Sequence, residues 1–317
     1  MVLIKNLKER FYFLKQFIFD YYNLEILNKL SKPSDNERKT IIEFKKSVKN
    51  GKLTKAGTWW KKFSFRLLMY SKFFDPRNFL RWEVIKGTMT VGNIPNEQIK
   101  ELEMVMKDKG INNKVLLENI IGNPALSDQI IGSSSTLLHH ACHLSKLLKN
   151  TELSINELET VVEFGGGYGS MCRLFRSIGF KGNYVLYDLP VFLSLQKYYL
   201  SNLNFNMING EDFESADTGK NILVSNTQDL KKILLKLPSL FIATWSLSES
   251  PVSVREQILE AVGKPSYFLF GYQALFDNID NKKYFNNIKY INSDFDWFDE
   301  YVPYWDAYYL IGKNNLI

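Results

Sequence analysis

The chain has 317 residues, of which 45% are hydrophobic and 15% aromatic, and this length and composition exclude a disordered or fibrous protein. Its net charge of +6 is unevenly distributed, because residues 1–86 carry 20 lysine and arginine residues against 8 aspartate and glutamate residues, whereas residues 87–317 carry 20 against 26. The net charge is therefore +12 in the N-terminal part and −6 in the remainder, so an anionic partner is expected at the N-terminal part if the charge has a partner at all.

Apolar residues recur at intervals of three and four from residue 1 to about residue 150, as in Leu3, Leu7, Phe11 and Leu14, which predicts helices. Charged residues interrupt the apolar N-terminus well before the roughly 20 apolar residues that a membrane-spanning helix needs. It also lacks the small-residue cleavage site of a signal peptide. We therefore expect a cytoplasmic protein, either free or held peripherally at the inner face of the membrane.

The basic N-terminal part favours an anionic partner. A phosphate-bearing acceptor, an anionic membrane face and nucleic acid each fit its charge, and a solvated helical surface explains it equally well. The stretch "GTWWKKFSFR", residues 57–66, interleaves aromatic and cationic side chains as a single-strand binding platform does. We consider nucleic acid the weakest of these partners, since the rest of the chain is acidic, and the sequence leaves a homo-oligomer open.

A connector rich in glycine, proline and serine, residues 121–135, leads into the helix "TLLHHACHLSKLLKN". We place the domain boundary here, with a helical, basic domain at residues 1–130 and a second domain at 131–317. The helix carries His139, His140 and His143. His139 and His143 stand one turn apart, as in some metal sites, but no cysteine or acidic partner has ligand spacing, so we predict no metal.

Short apolar segments alternate with helical stretches after residue 155. They lie at residues 160–164, 183–188, 221–225, 240–245 and 266–272, with a terminal pair near 295–298 and 307–312. This alternation predicts an α/β fold with a doubly wound, mostly parallel sheet, preceded by an all-helical region.

A glycine-rich loop follows the first of these strands, in "VVEFGGGYGSMCRLF" at residues 161–175. A strand ending at Phe164 and a helix beginning near Ser170 place bare backbone N–H groups at a helix N-terminus, where they bind a ligand. The dinucleotide fingerprint GxGxxG fits only in part, because Ser170 stands where Gly or Ala is required. Asp188 ends the next strand, 19 residues after Gly169, where such folds place an acid that binds ribose hydroxyls.

The segments "VVEFGGGYG", "YVLYDLPVFLSLQKYYLSNL" and "LFIATWSLSES" resemble the bacterial sugar O-methyltransferases, a Rossmann-type family that uses S-adenosylmethionine and is linked to surface-polysaccharide assembly. The resemblance covers roughly residues 120–312. It implies a Rossmann-like, methyltransferase-type sheet and a sugar or glycan acceptor. It also implies cofactor ligands, which we assign, with their neighbours, as Glu163, Gly165, Gly166, Gly167, Gly169, Asp188, Leu189 and Thr244.

The third strand is ambiguous, because residues 205–213 and 221–230 both fit. The adenine ligand is therefore either Asp212 or Asn226, and we favour Asn226, since residues 221–225 lead directly into the strand at 240.

Transfer of a methyl group to a sugar hydroxyl needs a general base. Glu249 follows the fourth strand and matches the family's "S..E" motif, although an acid at a helix N-terminus also stabilises the helix dipole. His140 and His143 are the other candidate bases. We predict acceptor contacts from Trp245, Ser246, Tyr272, Gln273 and His139. Two other functions remain as hypotheses: a nucleic-acid methyltransferase and a non-catalytic scaffold that keeps the cofactor fold.

Overall fold

The computed structural model describes residues 2–30, 32–50, 57–233 and 238–316. Up to residue 150 the described residues form helices and no strand. The α-helices are α1 (Val2–Leu30), α2 (Asp35–Asn50), α3 (Thr58–Phe73), α4 (Glu83–Met89), α5 (Asn96–Asp108) and α6 (Ser135–Asn150). Short 3₁₀ helices at Pro76–Arg81 and Asn113–Leu116 connect some of them.

Strands and helices then alternate to the C-terminus, as the sequence pattern predicts. The strands are β1 (Thr160–Phe164), β2 (Asn183–Tyr187), β3 (Met207–Asn209), β4 (Asn221–Val224), β5 (Ser239–Thr244), β6 (Tyr267–Gln273), β7 (Leu275–Phe276), β8 (Ile279–Asp280), β9 (Phe295–Val302) and β10 (Ala307–Asn314). The helices are α7 (Ser170–Ile178), α8 (Pro190–Asn202), α9 (Thr227–Lys232), α10 (Val252–Val262) and α11 (Asn281–Ile291).

Within the described ranges, eight strands form one sheet in the order β3-β4-β2-β1-β5-β6-β10-β9. The first six strands in this order, β3 through β6, are parallel to one another. The strand β10 runs antiparallel to both of its neighbours, β6 and β9. The prediction of a doubly wound, mostly parallel sheet behind a helical N-terminal region is therefore confirmed. Both candidates for the third strand form strands, but β4 pairs with β2, whereas β3 lies at the sheet edge.

Helices bury both faces of the sheet, which explains why its central strands are almost entirely apolar. Successive residues point to opposite faces, so Val161 belongs to one core and Val162 to the other. The core that contains Val161 continues into the N-terminal helices, through residues such as Trp82 and Phe79. The helical region is thereby packed directly against the sheet and reaches the ends of its strands.

Helix α6 carries the three histidines along one side of the sheet. Ser134 caps its N-terminus by accepting a hydrogen bond from the backbone N–H of Leu137 at 3.1 Å. Near its C-terminus, the buried Lys146 pairs with Glu101 of α5 and, at 2.5 Å, with Glu300 of β9. These contacts at both ends fix the position of the histidines relative to the strands.

Candidate active site

A cavity of about 530 Å³ lies at the carboxyl ends of β1, β2, β4 and β5. This is the edge of an open α/β sheet where ligands usually bind, and the volume is sufficient for a cofactor-sized molecule. The sheet and its loops supply most of the lining, including Glu163, Gly165, Gly166, Gly167, Asp188, Leu189, Ser225, Thr244, Trp245, Ser246 and Glu249. The helical region supplies the rest, including Gly57, Trp60, Thr88, Met89, Thr90, Val91, His139, His140 and His143.

The glycine loop between β1 and α7 has a backbone that only glycine adopts easily. Gly165 and Gly167 have φ values of +76° and +59°, in the left-handed region. A Cβ atom on Gly165 would lie 2.3 Å from Cβ of Ser246, and one on Gly166 would lie 2.8 Å from Oε2 of Glu163. The loop therefore lies directly against the acid and against the loop after β5, leaving its cavity side as bare backbone.

Glu163 places a buried carboxyl group at the end of β1, beside the glycine loop. The Tyr184 hydroxyl donates a hydrogen bond to Oε2 at 2.9 Å. Burial raises the pKa of Glu163 to about 8, and the nearby Asp188 carboxylate contributes in the same direction. A cation in the cavity would stabilise the ionised form, so this carboxyl group is suited to bind an ammonium group.

Asp188 is held by hydrogen bonds on both of its oxygens. The backbone N–H of Leu189 donates to Oδ1 at 2.7 Å, and Nε2 of Gln196 donates to Oδ2 at 2.8 Å. The same Gln196 nitrogen also donates to the carbonyl of Gly167 at 3.0 Å, which couples the acid to the glycine loop. Burial raises the pKa of Asp188 to about 7, although these hydrogen bonds oppose the shift. The carboxyl group lines the cavity in a fixed orientation and retains lone pairs for hydroxyl donors.

The loop after β5 forms another wall. Trp245 has a φ of +64°, which is strained for a residue with a side chain, and its N–H donates to the carbonyl of Gly271 at 2.6 Å. The Ser246 hydroxyl donates to the carbonyl of Phe164, which ties this loop to the end of β1. The Trp245 indole packs near α6, with ring distances of 5.3 Å to His139 and 5.1 Å to His143.

Glu249 lines the cavity one turn after Trp245. Burial raises the pKa of its carboxyl group to about 7, and a hydrogen bond from the Trp60 side chain partly opposes the shift. Trp60 belongs to α3, so the helical region directly contacts a candidate catalytic group. A carboxyl group with a pKa near 7 is suited to exchange a proton at neutral pH.

Histidines and aromatic rings form the wall opposite the glycine loop. The His139 ring lies 4.5 Å from Trp305 and 5.3 Å from Trp245, and Nδ1 of His143 is 2.6 Å from the Tyr309 hydroxyl. Burial lowers the pKa of His139 to about 3 and that of His140 to about 4, and it holds the pKa of His143 well below its usual range. These histidines are neutral at physiological pH.

Among the residues that the structure describes, no group of three or more His, Cys, Asp or Glu side chains is arranged to hold a metal ion. Of the three imidazoles, His143 is paired with Tyr309, whereas Nε2 of His139 and Nδ1 of His140 are buried without a hydrogen-bond partner.

Five residues that the sequence assigns to the site lie outside the cavity lining. Gly169, with φ +98°, packs beside Leu200 and begins α7. Asn226 caps α9, accepting a hydrogen bond from the Asp229 N–H at 2.8 Å, and Asp212 pairs with Asn209 in the turn after β3. The cavity residue after β4 is instead Ser225.

Tyr272 and Gln273, at the end of β6, also lie outside it. Tyr272 points into the core that contains Val162, where its ring stacks on Phe285 at a centroid distance of 4.0 Å. The Gln273 amide accepts a hydrogen bond from the Ser248 hydroxyl at 2.8 Å and supports the loop after β5 from outside. Neither side chain is placed to orient an acceptor in this cavity.

Several cavity residues were not anticipated from the sequence, chiefly Trp60, Met89, Phe192, Ser225 and Trp305. Ser225 carried a usable signal, because it directly follows the strand beside β2. Gln196, which is buried in α8 and donates a hydrogen bond to Asp188, lies in "LQKYY", residues 195–199, within the segment that resembles the methyltransferase family. The residues from α3 and the segment after α4 carried no local signal, since only helix packing brings them to the cavity.

No family model matches this sequence, and no curated protein matches it either. Solved structures that resemble the chain include the magnesium protoporphyrin IX methyltransferase of Synechocystis PCC 6803 with bound SAM, at 10% identity and a TM-score of 0.38, over 71% of this chain and 100% of that one. Another is the Podospora anserina methyltransferase PaMTH1 bound to SAH, at 10% identity and a TM-score of 0.37, over 72% and 92%.

Proposed function

We propose that this protein is an S-adenosylmethionine-dependent methyltransferase that methylates a sugar hydroxyl. The observation that carries the proposal is one cavity lined by two chemically different sets of residues, which we call its cofactor half and its acceptor half. One half is formed by Glu163, the glycine loop and Asp188, and the other by the neutral histidines, Trp245 and Glu249. A cofactor half joined to an acceptor half is what a direct group transfer requires.

The residues of the first half fit the cofactor group by group. Glu163, buried beside the loop, would bind the ammonium of the methionine portion, while loop N–H groups would bind its carboxylate. Asp188 keeps acceptor capacity for the ribose hydroxyls, because a carboxylate has about four lone-pair sites and the Leu189 N–H, the Gln196 side chain and the Gly167 N–H do not use all of them. The glycines fit too, since side chains at Gly165 and Gly166 would collide with their neighbours.

The cofactor supplies an electrophilic methyl group on a sulfonium. The chain's own residues supply orientation, exclusion of water and a proton acceptor. Glu249 accepts the proton that the acceptor hydroxyl loses, and its pKa of about 7 leaves a substantial ionised fraction at neutral pH. Trp60 lies beside that carboxylate and favours its ionised form.

The sugar acceptor is supported by the second half of the cavity. A sugar ring offers C–H faces that stack on indole rings and hydroxyls that bond to neutral polar groups. Trp245 and Trp305 both pack near His139, with ring distances of 5.3 Å and 4.5 Å. The resemblance of "LFIATWSLSES" to the sugar O-methyltransferases points to the same acceptor class.

The test is single-turnover methyl transfer to sugar acceptors at saturating cofactor, after cofactor binding has been measured by calorimetry. Glu249→Gln should lower the rate about 10²-fold or more and retain cofactor affinity, as expected for loss of a general base. A fully active Glu249→Gln with an inactive His140→Ala would assign the base to the histidine. Absence of cofactor binding to the wild-type chain would refute the enzyme and the cofactor-binding scaffold alike.

A further inference from the structure

Helix α1 exposes a wide, largely apolar face to solvent, in which Lys15 is an exposed cation. Its apolar members recur at helical spacing, and each is between 47% and 72% exposed: Phe11, Tyr12, Leu14, Ile18, Phe19, Tyr22 and Ile26. Soluble proteins rarely leave contiguous large apolar side chains exposed unless a partner covers them. We name these seven residues the α1 apolar face.

The opposite side of α1 already satisfies the helix's packing within the protein. Phe17 contacts Phe74 and Tyr70 at ring distances of 4.9 and 5.1 Å. Asp20 is buried and accepts a hydrogen bond from the Tyr70 hydroxyl at 2.8 Å. The helix is thus anchored by one side, and the apolar face is not needed for that packing.

The part of the chain that carries this face is cationic. Helix α3, which touches α1 through Phe73 and Phe17 at 6.1 Å, contains four lysine and arginine residues and no acidic residue. Its Lys61 and Lys72 are exposed, and Lys15 is exposed within α1 itself. Exposed apolar side chains in a region that also exposes lysines are the combination expected of a helix that lies in the surface of an anionic membrane.

We propose that the α1 apolar face docks the protein onto the surface of an anionic lipid bilayer, independently of the methyl-transfer reaction. The apolar side chains enter the headgroup boundary, while the lysines contact the lipid phosphates. The net charge of +12 on residues 1–86 argues against a second copy as the occupant, because two such surfaces repel each other. No helix in the described ranges is long and apolar enough to cross a membrane, so the contact is at the surface.

The experiment is co-sedimentation of the full chain with phosphatidylcholine vesicles, with and without about one third phosphatidylglycerol. We expect binding to the anionic vesicles that weakens as salt is raised. The double variant Phe11→Ser with Phe19→Ser should reduce the partition coefficient by about tenfold or more, because two aromatic anchors are lost. Lys61→Glu with Lys72→Glu should also reduce it, and only for the anionic vesicles.

The matched control is Tyr290→Ser with Ile291→Ser, two residues of α11 that are also highly exposed. This variant should bind vesicles like the wild type, and circular dichroism should show that all variants remain folded. Vesicle binding that changes neither with salt concentration nor with the aromatic substitutions would overturn the proposal. So would a wild-type chain that does not sediment with vesicles but forms dimers, by light scattering, that Phe11→Ser with Phe19→Ser dissociates.

Discussion

Glu163 offers a direct test of the proposed cofactor half, because an ammonium group bound beside it would change its protonation. The pKa of about 8 in the free protein means that about nine tenths of this carboxyl group is protonated at pH 7. An ammonium bound beside it favours the carboxylate and lowers that pKa. Cofactor binding at pH 7 should therefore release close to one proton from Glu163, and affinity should rise as pH increases from 6 toward 8.

Calorimetry in two buffers of different ionisation enthalpy measures the number of protons released. Asp188, with a pKa of about 7, contributes at most about half a proton under the same conditions. Glu163→Gln should therefore remove most of the release and weaken binding at pH 8 by about 1.5–3 kcal/mol, the usual contribution of a charge-assisted hydrogen bond. Equal proton release in wild type and variant would refute the assignment of Glu163 to the ammonium group.

The same substitution should have the opposite effect on the stability of the free protein. The folded-state pKa of Glu163 lies above its ordinary value of 4.5, so its contribution to stability is present at low pH and is lost as pH rises through about 8. Glu163→Gln cannot ionise and escapes that loss. At pH 9 the free variant should unfold at a higher temperature than the free wild type; an equal or lower unfolding temperature would contradict the buried, high-pKa state.

Three further substitutions test neighbouring parts of the cavity. Asp188→Ala should weaken cofactor binding by about 1.5–3 kcal/mol, whereas Asp212→Ala, outside the cavity, should leave the dissociation constant unchanged; equal effects would remove the ribose assignment. Trp60→Phe removes a contact that lowers the pKa of Glu249, so that pKa should rise. The acidic limb of the pH profile of kcat/KM should then move to higher pH, and an unmoved limb would contradict the contact. Gly165→Ala adds a Cβ atom at a φ of +76°, 2.3 Å from Cβ of Ser246. We expect the free energy of unfolding to fall by about 1–3 kcal/mol, which thermal unfolding would detect. An unchanged unfolding temperature would show that the loop relaxes freely.

The sequence by itself determined the sheet and located Glu163, the glycine loop and Asp188 at one edge of it. Strand segments such as residues 160–164 and 183–188 were predicted to within a residue, because strands buried on both faces are marked by short apolar runs. Glu163, the glycine loop and Asp188 could be located for a related reason. Each lies at the end of a parallel strand, and parallel strands bring their carboxyl ends to one edge.

Only the tertiary structure decided what forms the acceptor half. Trp60, Met89 and Trp305 reach the cavity because helices and strands far apart in the chain pack together, and no local pattern records that packing. Asn226 stands next to the residue that lines the cavity, but its side chain caps α9 instead. Sequence position fixes which strand end a residue follows, whereas the direction of its side chain depends on the hydrogen bonds and packing that the assembled fold offers it.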